Sequence, residues 1–146
     1  MFSSKTDLWT TPQEFYNKLN EEFGFTLDPA STHQNTKCKR HYTIDEDGLK
    51  QDWGGEVVFC NPPYGRSVGE WARKCYEESK KPDTRVVLLI FARTDTKWWH
   101  QYCMNGEIRF VKGRLKFGDS KNAAPAPSAV IIFGYDVECS KVSAIA

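Results

Sequence analysis

The chain has 146 residues, of which 40% are apolar and 27% charged, with a formal net charge of +1. That length suits one domain with a real core. The composition excludes a disordered or fibrous chain, and the charge excludes a polycation that would hold nucleic acid over its whole surface. No apolar run approaches the ~20 residues of a membrane span. The start, "MFSSKTDLW", lacks the apolar centre of a signal peptide, so an intracellular protein is expected.

"TTPQEFYNKLNEEFG" (10–24) predicts a helix. Thr11 is placed to cap it, with Pro12 at the first helical position and Glu14 at capping-box spacing. Phe15, Leu19 and Phe23 form one apolar stripe, and Gly24 ends it. "FTLDPA" (25–30) reads as a short strand ending in an acid and a proline. Residues 31–53 are polar and turn-rich, and read as loop. "EVVFC" (56–60) is a buried strand. "SVGEWARKCYEESKK" (67–81) is a helix with Val68, Trp71, Ala72, Cys75 and Tyr76 on one face. "RVVLLIFA" (85–92) has the pattern of a central strand covered on both sides. "TDTKWWHQYCMN" (94–105) predicts a helix capped by Thr94 or Asp95, with Trp98 and Trp99 in the core. "EIRFVKG" (107–113) and "RLKFG" (114–118) read as two short strands, 119–127 as a loop, and "SAVIIFGYDV" (128–137) as a long final strand.

This alternation predicts an α/β fold, mostly parallel, with an antiparallel element at its C-terminal end. Residues 1–146 are expected to form a single domain. In such sheets ligands bind beyond the carboxyl ends of the strands. Asp28-Pro29, Asn61-Pro62-Pro63-Tyr64 and Arg93-Thr94-Asp95 should therefore share one edge.

Five cysteines, odd in number and without C-x-x-C spacing, read as free thiols of a reducing compartment. His33, Cys38 and His41 lack the second close ligand pair of a structural zinc site, so no metal is expected. The local basic clusters "KCKRH" (37–41) and "RFVKGRLK" (109–116) suit either solvated faces or phosphate contacts.

"VVFCNPPYGR" (57–66) carries the chemistry. Two consecutive prolines remove two donors and fix two φ angles, more than a turn requires. The result is a stiff platform. The Asn61 amide carbonyl and the Pro62 carbonyl offer two acceptors to one planar NH2 group, and the Tyr64 ring can stack on the flat group bearing it. Drawing both protons exposes the nitrogen lone pair toward an electrophile above the ring.

"NPPY" after a buried strand resembles the signature of S-adenosylmethionine-dependent enzymes that methylate adenine N6, cytosine N4 or glutamine N5. The ordered set "DLWTTPQEFY", "EFGFTLDPAS", "GLKQDW", "FCNPPYGR", "ARTDTKWWH" and "GRLKFGDSKNAAPAPSAVIIFG" resembles the phage and prophage DNA N-6-adenine-methyltransferase (Dam-like) family over residues 7–134. The resemblance implies a reduced Rossmann-like methyltransferase sheet and methyl transfer from S-adenosyl-L-methionine to a flipped-out adenine in DNA. It implies a catalytic group of Asn61, Pro62, Pro63 and Tyr64. Thr11, Pro12, Asp28, Pro29, Ala30 and Asn61 would serve the cofactor, with Asp52, or else Asp47, as the ribose acid. Arg66, Arg114, Lys116 and Lys121 are the expected phosphate contacts. The setting it implies is the cytoplasm of a bacterial host, with the protein encoded by phage or prophage.

Two features depart from the family pattern. "DPASTHQNT" has no glycine-rich turn. The 33 residues between Asp28 and Asn61 (61 − 28) are too few for two strand–helix units of about 30 residues each. A separate target-recognition domain is not expected, so target choice falls to loops, a homodimer or a partner protein. Two other readings stand beside this one. They are transfer to a protein glutamine amide, and a non-catalytic nucleic-acid-binding protein on a degenerate methyltransferase fold.

Overall fold

The computed structural model describes residues 10–117, 124–139 and 141–145. Helix α1 (Gln13–Phe23) leads to an extended segment at 26–28. Strand β1 (Val57–Cys60), helix α2 (Val68–Ser79), strand β2 (Arg85–Phe91), helix α3 (Lys97–Gln101) and strands β3 (Glu107–Val111), β4 (Ser128–Phe133) and β5 (Val142–Ile145) follow, with 3₁₀ turns at Gly48–Lys50 and Cys103–Asn105. The five strands lie in the order β1-β2-β4-β3-β5. β1 and β2 are parallel, as are β3 and β5, while β4 runs antiparallel to both β2 and β3. Four strands thus point one way and β4 alone returns, as the mostly parallel α/β reading expects.

Beyond β1 the sheet continues only as single parallel bridges, Leu27 to Val58 and Asp28 to His41. The sheet is therefore reduced on this side. The residues after Asp28 return to Asp28 as a loop, with no helix between. The Asp28 amide donates to the Arg40 carbonyl and the Tyr42 amide to the Asp28 carbonyl.

Alternation along the strands divides the core between two faces. Val58, Cys60, Val86, Leu88, Ile90, Ile131 and Phe133 pack against Trp71, Ala72, Cys75 and Trp99 of α2 and α3. Phe59, Val87, Leu89, Phe91, Val130 and Ile132 pack against Phe15, Tyr16 and Leu19 of α1. Burying each large apolar side chain of α1 is worth about 1.5–3 kcal/mol, which holds that helix on its face. β2 is buried from Val86 to Phe91, because helices cover both its sides.

Three local expectations change. Pro12, not Thr11, is the N-cap of α1, and no side chain caps it. The hydroxyl of Thr11 is engaged elsewhere. α3 is capped by Thr96, whose oxygen accepts from the Trp99 amide, rather than by Thr94 or Asp95. Residues 114–117 form no strand, since Gly113 turns the chain at φ 72°. The five cysteines are all free thiols. Cys38 meets the Tyr16 hydroxyl at 3.4 Å, and His33 and His41 hydrogen-bond to each other at 2.9 Å. Among the described residues no group of three His, Cys, Asp or Glu could hold a metal ion. No described helix is long and apolar enough to cross a membrane.

Candidate active site

The parallel strands bring Asp28, at the end of its bridge, and Asn61, directly after β1, to the same carboxyl edge. Thr11 arrives there from the start of α1. Thr11, Asp28, Ala30 and Asn61 all line one open cleft. Its remaining wall comes from Thr10, Ser31, Asn35, Lys37 and Phe59.

The Asn61 amide is tied at both ends. Its Nδ2 donates to Thr11 Oγ1 at 2.9 Å, and its Oδ1 accepts from the Tyr64 hydroxyl at 3.1 Å. Pro62 is buried, so the platform is anchored as well as stiff. The Tyr64 ring stacks on Phe91 with centroids 4.2 Å apart and planes 7° apart, and the edge of Phe117 meets it at 6.4 Å. Burial pushes the Tyr64 phenol well above its ordinary pKa, so it stays a neutral donor. A tyrosine four residues past the end of β1 is thus held rigid by the last residue of the neighbouring strand.

Asp28 is only 4% exposed. Its Oδ2 accepts from the Lys37 amide at 3.0 Å and its Oδ1 from the Ala30 amide at 3.4 Å. Burial raises its pKa, against the pull of those two bonds and of His41 and Lys37. The carboxylate gathers the loop that lacks glycine by accepting two of its backbone donors. Burial lowers the pKa of Lys37, whose Nζ donates to Gln13 Oε1 at 2.9 Å. Ser31 adds the feature that bears most directly on a ligand. Its Oγ is buried and has no hydrogen-bond partner among the described residues. An unsatisfied buried hydroxyl costs about 1–3 kcal/mol, and this one lines the cleft.

The structure gathers some of the predicted residues and separates others. Pro12 begins α1 beside Thr11. The Pro29 carbonyl lies against Gly48, where an added Cβ would meet it at 2.1 Å. Asp47, next to Gly48, is therefore near the strand tip, and its carboxylate accepts from the Leu49 amide. Asp52 is not brought to the cleft. It is exposed, paired with Lys81 at 2.8 Å, and precedes the amino end of β1. Residues 53–56 separate it from the strand whose far end carries the cleft. Arg66, Arg114 and Lys116 are exposed, and Arg114 Nη1 donates to the Ala124 carbonyl at 3.2 Å. Lys121 lies outside the described residues.

Sequence reasoning did not single out Ser31, Phe59, Phe91 or Phe117, and met Lys37 only as part of the basic cluster 37–41. Ser31 was within reach, since it stands two residues past the Asp28-Pro29 strand end. Phe91 closes β2 on the same edge. Lys37 and Phe117 come from irregular segments, where no period betrays a side chain's direction.

The family described as DNA N-6-adenine-methyltransferase (Dam) matches residues 1–135. A DNA N-6-adenine-methyltransferase of Escherichia phage T1 is 30% identical over 112 residues, which cover 75% of this chain and 46% of that protein. YfdM of Escherichia coli (strain K12) is 35% identical over 65 residues, 40% of this chain and 71% of that protein. The matched region is thus less than half the length of the phage T1 relative.

Proposed function

Because this chain belongs to the DNA N-6-adenine-methyltransferase (Dam) family, we propose that it transfers a methyl group from S-adenosyl-L-methionine to N6 of adenine in DNA. One observation carries the reading. Thr11, Asp28 and Asn61, far apart in sequence, line a single cleft at the carboxyl edge of a mostly parallel sheet. The 146 residues act as one catalytic unit in this reading, and DNA is the partner.

The residues present fit the cofactor. Ser31 Oγ is a buried donor and acceptor that could meet a polar group of the cofactor, and Thr10, Ala30 and Asn35 line the same cleft. Asp28 shapes this wall by fixing the Ala30 and Lys37 amides. Neither Asp47 nor Asp52 lines the cleft; Asp47 is taken as the ribose acid in this reading because its neighbour Gly48 lies against Pro29. When bound, S-adenosylmethionine supplies an electrophilic methyl on a sulfonium.

The chain's own residues do the rest. A flipped adenine costs a few kcal/mol of unstacking, offset by stacking and edge hydrogen bonds in the pocket. The Tyr64 ring, one face of which stacks on Phe91, would offer its other face to the base. Asn61 Oδ1 and the Pro62 carbonyl accept the two N6 protons, which turns the nitrogen lone pair out of the ring plane. Asn61 Oδ1 has a second lone pair, so it accepts from the base beside the Tyr64 hydroxyl or in its place. No strong base is required, because the amine loses its proton after attack. Arg66, Arg114, Lys116 and Lys121 serve the phosphates.

Transfer of labelled methyl from S-adenosylmethionine to DNA, RNA and protein extract tests the acceptor. The expected product is N6-methyladenine in DNA. Label in protein alone would favour the glutamine amide, and no transfer with no cofactor binding would favour a non-catalytic fold. The variant Asn61→Ala is expected to lose at least about a hundredfold in turnover, the scale of removing one preorganised polar group from a transition state. Its circular dichroism should remain that of the parent. Retained turnover would refute the role of Asn61.

A further inference from the structure

Thr11 is 3% exposed, and its hydroxyl does not do what a Thr-Pro at a helix start ordinarily does. Helix α1 is left with Pro12 at its N-cap and no side-chain cap. A Ser or Thr cap is commonly worth about 1 kcal/mol. The hydroxyl instead accepts from Asn61 Nδ2 across 50 residues of sequence, at 2.9 Å. Tyr64 holds the other end of the same amide.

An asparagine side chain turns about its last torsion with broad, two-fold preference. Turned by half a revolution, it would offer NH2 rather than a carbonyl to the target amine, and two donors would face each other. The stiff proline backbone fixes where Asn61 begins but not which end of its amide faces the cleft. Its two partners are both hydroxyls, able to donate or accept, and together they hold the amide in the turn seen, with Thr11 Oγ1 accepting from Nδ2 and the Tyr64 hydroxyl donating to Oδ1.

Resting on the reading of Asn61 given above, we infer that Thr11 is a positioning residue for methyl transfer: its hydroxyl anchors Asn61 Nδ2 and so presents Asn61 Oδ1 to the target amine. This differs from a role as a cofactor contact. A cofactor contact sets affinity for S-adenosylmethionine, while an anchor of Asn61 sets turnover.

The test uses Thr11→Val, which keeps the shape and removes the hydroxyl, and Thr11→Ser, which restores it. Thr11→Val is expected to lower kcat roughly ten- to a hundredfold, the scale of a misplaced reacting group. The Kd for S-adenosylmethionine should stay within about threefold, and Thr11→Ser should recover most of the parent kcat. A Thr11→Val enzyme with weakened cofactor binding and unchanged kcat would overturn the inference, as would one with both unchanged.

A second readout needs no activity. In the parent, the Asn61 side-chain NH2 signals, identified by their loss in Asn61→Ala, should be shifted downfield and slow to exchange. In Thr11→Val, or in Thr11→Ala should the valine fail to fold, they should approach those of exposed asparagines. Freely exchanging Asn61 signals in the parent would overturn the anchor. If the parent transfers no methyl to DNA, the proposed function fails, and these signals still decide whether the anchor exists.

Discussion

Asp28 places a carboxyl group where water scarcely reaches, and it has two backbone donors rather than a cation as close partners. Burial is the largest influence on it and raises its pKa above the ordinary 3.8. The sign for stability follows. Between 3.8 and the raised value the folded state binds more protons than the unfolded state. Stability contributed by this group therefore falls as pH rises through that window and stays lower above it. Asp28→Asn removes the titration. The melting temperature of the parent minus that of Asp28→Asn should decline from about pH 4 upward and then level off. Thermal melts of both proteins between pH 3.5 and 7.5 measure it, and a difference that is flat or rises with pH contradicts the assignment. The reason for tolerating such a group is local, in that the carboxylate does for this loop what a glycine-rich turn does elsewhere. It draws the Ala30 and Lys37 amides together without requiring a positive φ.

At the level of elements, the loop carrying Asp47 is fastened to the strand tip by a close approach. A Cβ on Gly48 would stand 2.1 Å from the Pro29 carbonyl oxygen and 3.0 Å from the Trp71 ring. The Trp53 indole also donates to the Gly48 carbonyl at 3.0 Å. Neither the carbonyl nor the buried indole has room to give way. Gly48→Ala should destabilise by about 1–3 kcal/mol, the usual cost of overpacking. In a chain of this size that lowers Tm by several degrees. Calorimetry measures the loss, and an unchanged Tm would mean that the loop is not seated on Pro29. Nothing in the sequence marks this contact, since a glycine in a polar turn has many other uses. Much else was legible. β2 announces itself by six consecutive buried apolar residues, and α1 by Phe15 and Leu19. β5 was not foreseen, because Val142, Ser143 and Ala144 are exposed. That strand is held by backbone pairing with β3, which leaves no apolar alternation to read. In the site, the platform Asn61–Tyr64 was legible because prolines and a strand end are local signals. The tie from Thr11 to Asn61 was not, because it is a tertiary bond that overrides a helix-capping preference.

Over the whole molecule, one sheet edge collects the chemistry and the charge is spread thin. The formal net charge is +1, so in the proposed function long-range attraction to DNA would be weak and binding would depend on a few cations. Each phosphate neutralised by one of them contributes about 0.9 to the slope of log K against log salt on duplex DNA. With Arg66, Arg114, Lys116 and Lys121 as contacts the slope should be about −3 to −4, well below that of a protein with a broad basic face. Arg66 is the sharpest test, since it stands two residues beyond Tyr64 and is exposed. Arg66→Ala should make the slope shallower by about one while weakening binding evenly across DNA sequences. Fluorescence anisotropy of labelled duplexes between 50 and 200 mM salt measures both. A slope that Arg66→Ala leaves unchanged removes that residue from the contact set. A parent slope near zero would mean that phosphates contribute little, and that the affinity for DNA comes from the flipped base alone.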